Sequence, residues 1–211
     1  MAIAKRHDLR VIEDCAQAVG ADFNGRKLGT LADIGCYSFF PTKNLGAIGD
    51  AGAVVCRDPE VAARLKRLRQ YGWDEKRISV EPGMNSRLDE IQAAILRVKL
   101  PRLDGANTER AAQAERYRAG LTGLPVGFPQ VRTGALHSYH LFVLRVAAAD
   151  RGRLLTHMAE KGVGCGIHYA VPVHKMPGFA GATSLPVTEA VVDEIVSLPL
   201  FPGVSAEQQG T

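Results

Sequence analysis

Three short apolar runs fall within the first 56 residues, at positions 9–14, 34–40 and 51–56, and small or polar residues separate them. Runs of this length read as strands. The first ends in the acidic pair Glu13 and Asp14, and the second is stopped by Pro41 with Lys43 just beyond it. Between them, residues 20–33 carry Gly25 and Gly29 among polar residues and read as a loop or hairpin. A helix should follow the third run. Asp58 can cap it, Pro59 fits its first turn, and Gly72 suits the position after its end near Tyr71. Strands and helices in this order predict an α/β sheet, in which ligands sit beyond the carboxyl ends of strands.

Further along, Ser86 and Asp89 resemble a capping box for a second helix with an apolar stripe of Leu88, Ile91, Ile95 and Val98. Pro101 should stop or kink it before a polar helix at about 103–121. After the Pro/Gly-bearing connection at 125–129, the pattern predicts a long strand at 137–146 and a helix capped by Asp150 and ended by Gly162. A strand-like run at 163–170, a Pro/Gly-rich loop at 172–186 and a helix at 188–197 complete the reading. Residues 205–208, Ser-Ala-Glu-Gln, have the pattern that starts another helix, yet the sequence stops at Thr211. Few strands precede the first motif. The chain is therefore expected to be a piece cut at both ends.

Composition excludes several classes. No apolar run approaches the ~20 residues needed to span a bilayer, and residues 1–7 lack the pattern of a signal peptide, so a cytoplasmic protein without a membrane partner is expected. The 26 basic residues are interleaved with 22 acidic ones. The densest basic stretch, 64–69, reads as one solvated helix face, a weak footprint for nucleic acid. Cys15, Cys36, Cys56 and Cys165 form no C-x-x-C pair and have no His at zinc-ligand spacing, so they read as small apolar residues and no metal is expected.

The chemistry concentrates in three neighbouring pieces: Glu13 to Gln17, Ser38 to Asn44, and the glycine-rich turn at 46–52. Pyridoxal-phosphate chemistry needs parts of these types. It needs a lysine to bond the cofactor aldehyde, a carboxylate to keep the pyridine nitrogen protonated, a donor to the ring oxygen, and hydroxyls or backbone N–H groups for the phosphate. Lys43, Asp14, Gln17 and Ser38 can fill those roles. Singly, each has an ordinary alternative: a solvated lysine, a turn-forming aspartate, glycines that merely permit a tight turn.

Longer motifs carry a resemblance. VIEDCAQA at 11–18, GRKLGT at 25–30, SFFPTKNL at 38–45 and NSRLDEIQAAIL at 85–96 resemble the nucleotide-sugar aminotransferases of the DegT type, a branch of the fold-type I pyridoxal-phosphate enzymes. YHLF at 139–142, GIHY at 166–169, PVH at 172–174 and SLPLFP at 197–202 are similar to that family's C-terminal part. The resemblance implies Lys43 as the cofactor-bonding lysine, Asp14 as the partner of the pyridine nitrogen, Gln17 beside the ring oxygen and Ser38 on the phosphate. It implies that Asn85, with Arg87 in the same segment, reaches the cofactor phosphate of the other subunit in a homodimer. His168 and His174 match positions near the substrate, and both also read as structural histidines. A related dehydratase branch has histidine where Lys43 stands, so transamination is favoured here.

The implied fold is α/β, a partial fold-type I (aspartate-aminotransferase-like) large domain with a mixed sheet, plus a small α+β C-terminal domain. The large-domain part is expected at 1–104 and the small domain at 105–211. The implied reaction moves an amino group from a donor such as glutamate to a nucleotide-linked keto-deoxysugar. The segments QYGW at 70–73 and GMNSRL at 83–88 look most like members that aminate C3 of a dTDP-linked sugar. The sequence departs from the family in lacking its first strands, a phosphate-binding turn and an aromatic ring that stacks on the cofactor. Two other readings stay open: a non-catalytic remnant, and a regulatory protein of the same fold.

Overall fold

In the computed structural model, which describes residues 1–179 and 184–210, the short helix α1 (Ala2–Arg6) leads into strand β1 (Ile12–Asp14). The strand starts late because the Asp33 carboxylate accepts a hydrogen bond from the Val11 amide at 2.8 Å. Strands β2 (Asp22–Phe23) and β3 (Arg26–Lys27) form the hairpin expected at 20–33. Its turn residues Asn24 and Gly25 have φ of 52° and 73°, the left-handed pair that a two-residue hairpin turn demands. Strands β4 (Ile34–Ser38) and β5 (Gly52–Cys56) follow. The main sheet has the order β1-β4-β5, with β1 parallel to β4 and β4 antiparallel to β5, so the sheet is mixed and the fold is α/β.

Helix α2 (Pro59–Leu68) begins as expected, with the Asp58 side chain accepting from the amides of Glu60 and Val61. It ends three residues early. The chain returns beside its last turn, where the Met84 amide donates to the Leu68 carbonyl and the Tyr71 amide to that of Met84. Helix α3 (Glu90–Lys99) begins later than expected, with Asp89 rather than Ser86 in the cap position and no side-chain capping bond. The Ser86 amide is already engaged by the Arg69 carbonyl at 3.0 Å. The expected apolar stripe also shifts. Ile91 and Val98 are 65% and 66% exposed, whereas Leu96 is buried. Pro101 lies in a single 3₁₀ turn, Leu100–Arg102, that leads straight into helix α4 (Leu103–Gly120). Strand β6 (Ala135–Leu136) pairs with β2.

The chain divides into two compact units. The first comprises Met1–Thr108 and Arg132–His140. The sequence places the division near residue 104; in the structure Arg132–His140 also belongs to the first unit, because β6 completes the small sheet β3-β2-β6. Its core is Val19, Leu45, Ala47, Leu96 and Leu103, with Tyr37, Phe39, Ala51 and Leu88 packed against it. Each leucine buried there contributes about 1.5–3 kcal/mol. That core lies directly beneath the turn after β4.

The second unit comprises Glu109–Val131 and Leu141–Thr211. Strand β7 (Phe142–Arg145), helix α5 (Ala148–Glu160), helix α6 (Pro186–Glu194), strand β8 (Ile195–Leu198) and helix α7 (Ala206–Gln209) build it around the remainder of α4. Four expectations change here. The long strand at 137–146 shortens to β7 because residues 138–140 turn, with Tyr139 at φ 44°. Asp150 sits inside the first turn of α5, and Ala147 holds the cap position. The strand at 163–170 reduces to a single bridge between Gly166 and Ser197. The helix expected at 188–197 stops at Glu194, and the fully buried run Ile195–Leu198 pairs with β7 as a strand. A short apolar run has no periodicity that separates the two states, and burial decided it. Of the Pro/Gly-rich stretch at 172–186, residues 180–183 lie outside the described residues.

Polar side chains of α4, Arg110 and Gln113 buried and Tyr117 half-buried, hold the segment after β8. Arg110 donates to the Leu200 carbonyl, Gln113 to that of Phe201 and Tyr117 to that of Pro199. The capping box is present, with Ser205 and Gln208 each bonding the other's backbone amide. Among the described residues no helix is long and apolar enough to cross a membrane.

Candidate cofactor site

Parallel pairing of β1 with β4 sets Asp14 opposite Cys36. Side chains alternate along a strand, so Ser38, two residues after Cys36, lies on the same face as Asp14. Ordinary strand spacings separate their Cα atoms by about 8 Å. Glu13 faces the opposite way. Its carboxylate accepts from the amides of Gly29 (2.8 Å), Leu31 (2.7 Å) and Ala32 (2.7 Å). Gly35, its neighbour on β4, permits that approach, since a Cβ there would stand 2.4 Å from the Gly29 Cα. One acidic residue thus fastens the loop at 29–32, and the next projects from the other face.

Asp14 is exposed at the carboxyl end of β1, and its Oδ1 accepts from the Ala16 amide at 3.0 Å. Gln17 is exposed in the turn that follows. Ser38 ends β4, where its Oγ accepts from the Phe40 amide at 3.3 Å. Lys43 is half-buried, and its amide donates to the Phe40 carbonyl at 2.8 Å. The turn carrying it is closed tightly by the Ala47 amide on the Phe39 carbonyl and anchored by buried Leu45 and Ala47. Gly46 is required at that closure, because a Cβ would lie 2.3 Å from the Pro41 carbonyl oxygen.

Four side chains absent from the sequence-derived set stand beneath this turn. Asn44 donates to Asn107 Oδ1 at 2.8 Å and to the Ser138 carbonyl at 2.7 Å, and its Oδ1 lies 3.2 Å from His140 Nδ1. Ser138 Oγ donates to the Gln17 carbonyl at 3.2 Å. Their sequence separations of 63 to 121 residues leave no local signal by which they could have been found.

The other sequence-derived residues lie apart from this cluster in the chain. Asn85 bridges Gln70, and the Arg87 guanidinium lies 5.4 Å from the centre of the Tyr71 ring. Both belong to the excursion between α2 and α3. His168 and His174 belong to the second unit and have partners within it. His168 Nδ1 lies 2.9 Å from Ser197 Oγ, and His174 Nε2 lies 3.0 Å from Glu189 Oε1. Glu189 also accepts from the Leu185 amide. That bond and the His174 contact hold its carboxyl down to about 2.

The donor set at the carboxyl end of the main sheet fits a phosphorylated pyridine aldehyde. A carboxylate and a hydroxyl share one face, and an amine stands on the turn just past the hydroxyl. The cysteines do not compete for this role. All four are free, and burial first, then Glu13 and Asp14, raises the Cys15 thiol above its ordinary value.

A profile of the DegT/DnrJ/EryC1/StrS aminotransferase family matches residues 1–211. The chain is 44% identical over 211 residues to a UDP-N-acetyl-3-dehydro-α-D-glucosamine 3-aminotransferase of Acidithiobacillus ferrooxidans, with 99% of this chain and 56% of that protein covered. It is 43% identical over 211 residues to a dTDP-3-amino-3,4,6-trideoxy-α-D-glucose transaminase of Streptomyces venezuelae, covering 98% of this chain and 55% of that protein. Among solved structures, S. venezuelae DesV superposes with a TM-score of 0.94 at 43% identity, over 99% of this chain and 57% of DesV. The chain spans little more than half the length of the curated relatives it matches.

Proposed function

Because this chain belongs to the DegT/DnrJ/EryC1/StrS aminotransferase family, we propose that the protein transfers an amino group from an amino acid, glutamate, to C3 of a dTDP-linked keto-6-deoxyhexose. The observation that carries the reading is the placement of Asp14 and Ser38 on one sheet face with Lys43 on the turn leaving β4. Pyridoxal phosphate, on which aminotransferases of this family depend, supplies an aldehyde that accepts and gives up amino groups and a ring that withdraws electrons from the substrate carbon. Amination at C3 is supported by the two relatives, one named as a 3-aminotransferase and the other for a 3-amino sugar.

In this reading the Asp14 carboxylate accepts a hydrogen bond from the pyridine nitrogen and keeps it protonated. The Gln17 amide donates to the ring oxygen. Ser38 Oγ, already turned toward the backbone of the following residues, donates to the phosphate. The Lys43 amine would hold the cofactor and would move a proton to and from the substrate carbon. Asn85 and Arg87 serve the site of a second copy in a homodimer. The exposed Ile91 and Val98 on the neighbouring helix α3 supply apolar surface for that copy to cover. His168 and His174 are assigned to the substrate by the resemblance alone, and each also has a partner within the second unit, Ser197 and Glu189.

The test is reduction with borohydride after adding pyridoxal phosphate, then peptide mapping and a panel of dTDP- and UDP-linked keto-sugars with glutamate. A pyridoxyl group on Lys43 and amino transfer to a dTDP-linked 3-keto sugar are expected. Label scattered over surface lysines, or none, overturns the cofactor assignment. Label on Lys43 without transfer to any sugar overturns the reaction and leaves a regulatory protein.

A further inference from the structure

Asn44 follows Lys43 directly, and every polar atom of its side chain is engaged. Its amide nitrogen uses both hydrogens, one on Asn107 Oδ1 and one on the Ser138 carbonyl. Its Oδ1 is therefore the acceptor, and His140 Nδ1 must be the donor across the remaining 3.2 Å. Asn107, only 3% exposed, donates in turn to the Val19 carbonyl at 3.0 Å. Ser138, 2% exposed, donates to the Gln17 carbonyl. Two loops that leave the sheet past its last ladder bonds, one carrying Gln17 and one carrying Lys43, are thus tied to the same two residues of distant sequence, Asn107 and Ser138, and His140 braces Asn44 besides.

We infer that Asn44, Asn107 and His140 are positioning residues that set where Lys43 stands relative to the Gln17 loop. This rests on the reading of Lys43 as the cofactor-bonding lysine. The sheet alone cannot fix that relationship, because neither loop is hydrogen-bonded as a strand. A polar network anchored on buried Asn107 and Ser138 holds one arrangement, since a broken bond there strands a buried polar group. The requirement for accuracy is steep: a misplacement of about 1 Å at a reacting group costs about 10²-fold in rate.

The experiment uses the full-length protein with four substitutions. His140→Asn keeps a nitrogen donor close to where Nδ1 stands, His140→Gln moves it outward, and His140→Leu and Asn44→Ala remove the bond. Two rates are read at Lys43 by peptide mapping: capture of pyridoxal phosphate under borohydride, and modification by an amine-directed reagent in cofactor-free protein. Thermal midpoints are recorded alongside. The capture rate is expected to fall about 10²-fold in Asn44→Ala and His140→Leu, and the reagent rate, which follows how open the half-buried amine is to solvent, to rise in both; each should return largely to the unsubstituted value in His140→Asn but not in His140→Gln. Equal rates in all variants, or capture in His140→Asn as slow as in His140→Leu, overturn the inference. Should Asn44→Ala fail to fold, the Asn and Gln variants at 140 still decide it. No capture at Lys43 in the unsubstituted protein overturns the cofactor reading instead. The reagent rates then judge the anchoring alone, and unchanged rates overturn it.

Discussion

Asp14 and Ser38 stand on the same face of the main sheet, because Asp14 pairs with Cys36 in parallel register and Ser38 lies two residues further along β4. A slip of one residue between β1 and β4 would turn one of them to the other face. The register is held from behind, where Glu13 fastens the loop at 29–32 and Asp33 fastens Val11.

Asp14→Asn removes the charge that the pyridine nitrogen would meet. Cofactor affinity is expected to fall about 10- to 100-fold, the range of one hydrogen bond to a charged partner. Equilibrium dialysis of pyridoxal phosphate measures it. Affinity equal to that of the unsubstituted protein would place the ring elsewhere.

Glu13→Ala leaves three backbone amides without their carboxylate. We expect a loss of about 3 kcal/mol in stability, read from urea unfolding midpoints. A variant that unfolds at the same urea concentration would show that the loop at 29–32 is secured by other contacts.

Two glycines should respond in opposite directions. Gly46→Ala forces a methyl group against the Pro41 carbonyl and should cost about 1–3 kcal/mol. Gly105→Ala, in helix α4 with open space around its Cβ position, should stabilise by about 0.5–1 kcal/mol. Thermal unfolding of the pair decides this, and a destabilised Gly105→Ala would contradict the helical geometry there.

Glu189 makes the second unit acid-sensitive. Its carboxyl is held at about 2 against an ordinary 4.5, first by the Leu185 amide and then by His174. A depressed value means the unfolded chain binds the proton more readily, so the contribution is complete above about 4.5 and is lost as pH falls toward 2. Melting curves across that window should drop more steeply for the unsubstituted protein than for Glu189→Gln. Parallel curves would remove Glu189 from the account.

Local chemistry made several elements readable. Asp58-Pro59 started α2, Gly25 marked the hairpin, and Ser205 with Gln208 formed the capping box, because each signal acts within four residues. The errors share a cause. Ser86 and Asp150 looked like caps, but a distant carbonyl engages the Ser86 amide and helix α5 already begins at Ala148, ahead of Asp150. The stripe with Ile91 and Val98 and the run Ile195–Leu198 both had the right hydrophobicity, but that the first stays exposed and the second is buried as a strand beside β7 lay outside their own sequence.

The sequence by itself determined the order of strands and turns over the first 56 residues and the identity of the groups at their ends, Asp14, Gln17, Ser38 and Lys43, because strand period and turn chemistry are local. Only the tertiary structure decided which of those groups share a face, and which side chains hold the Lys43 turn. Asn44, Asn107, Ser138 and His140 meet through hydrogen bonds spanning 63 to 96 residues. Contacts of that range arise only after the chain has closed on itself, so no stretch of sequence carries them alone.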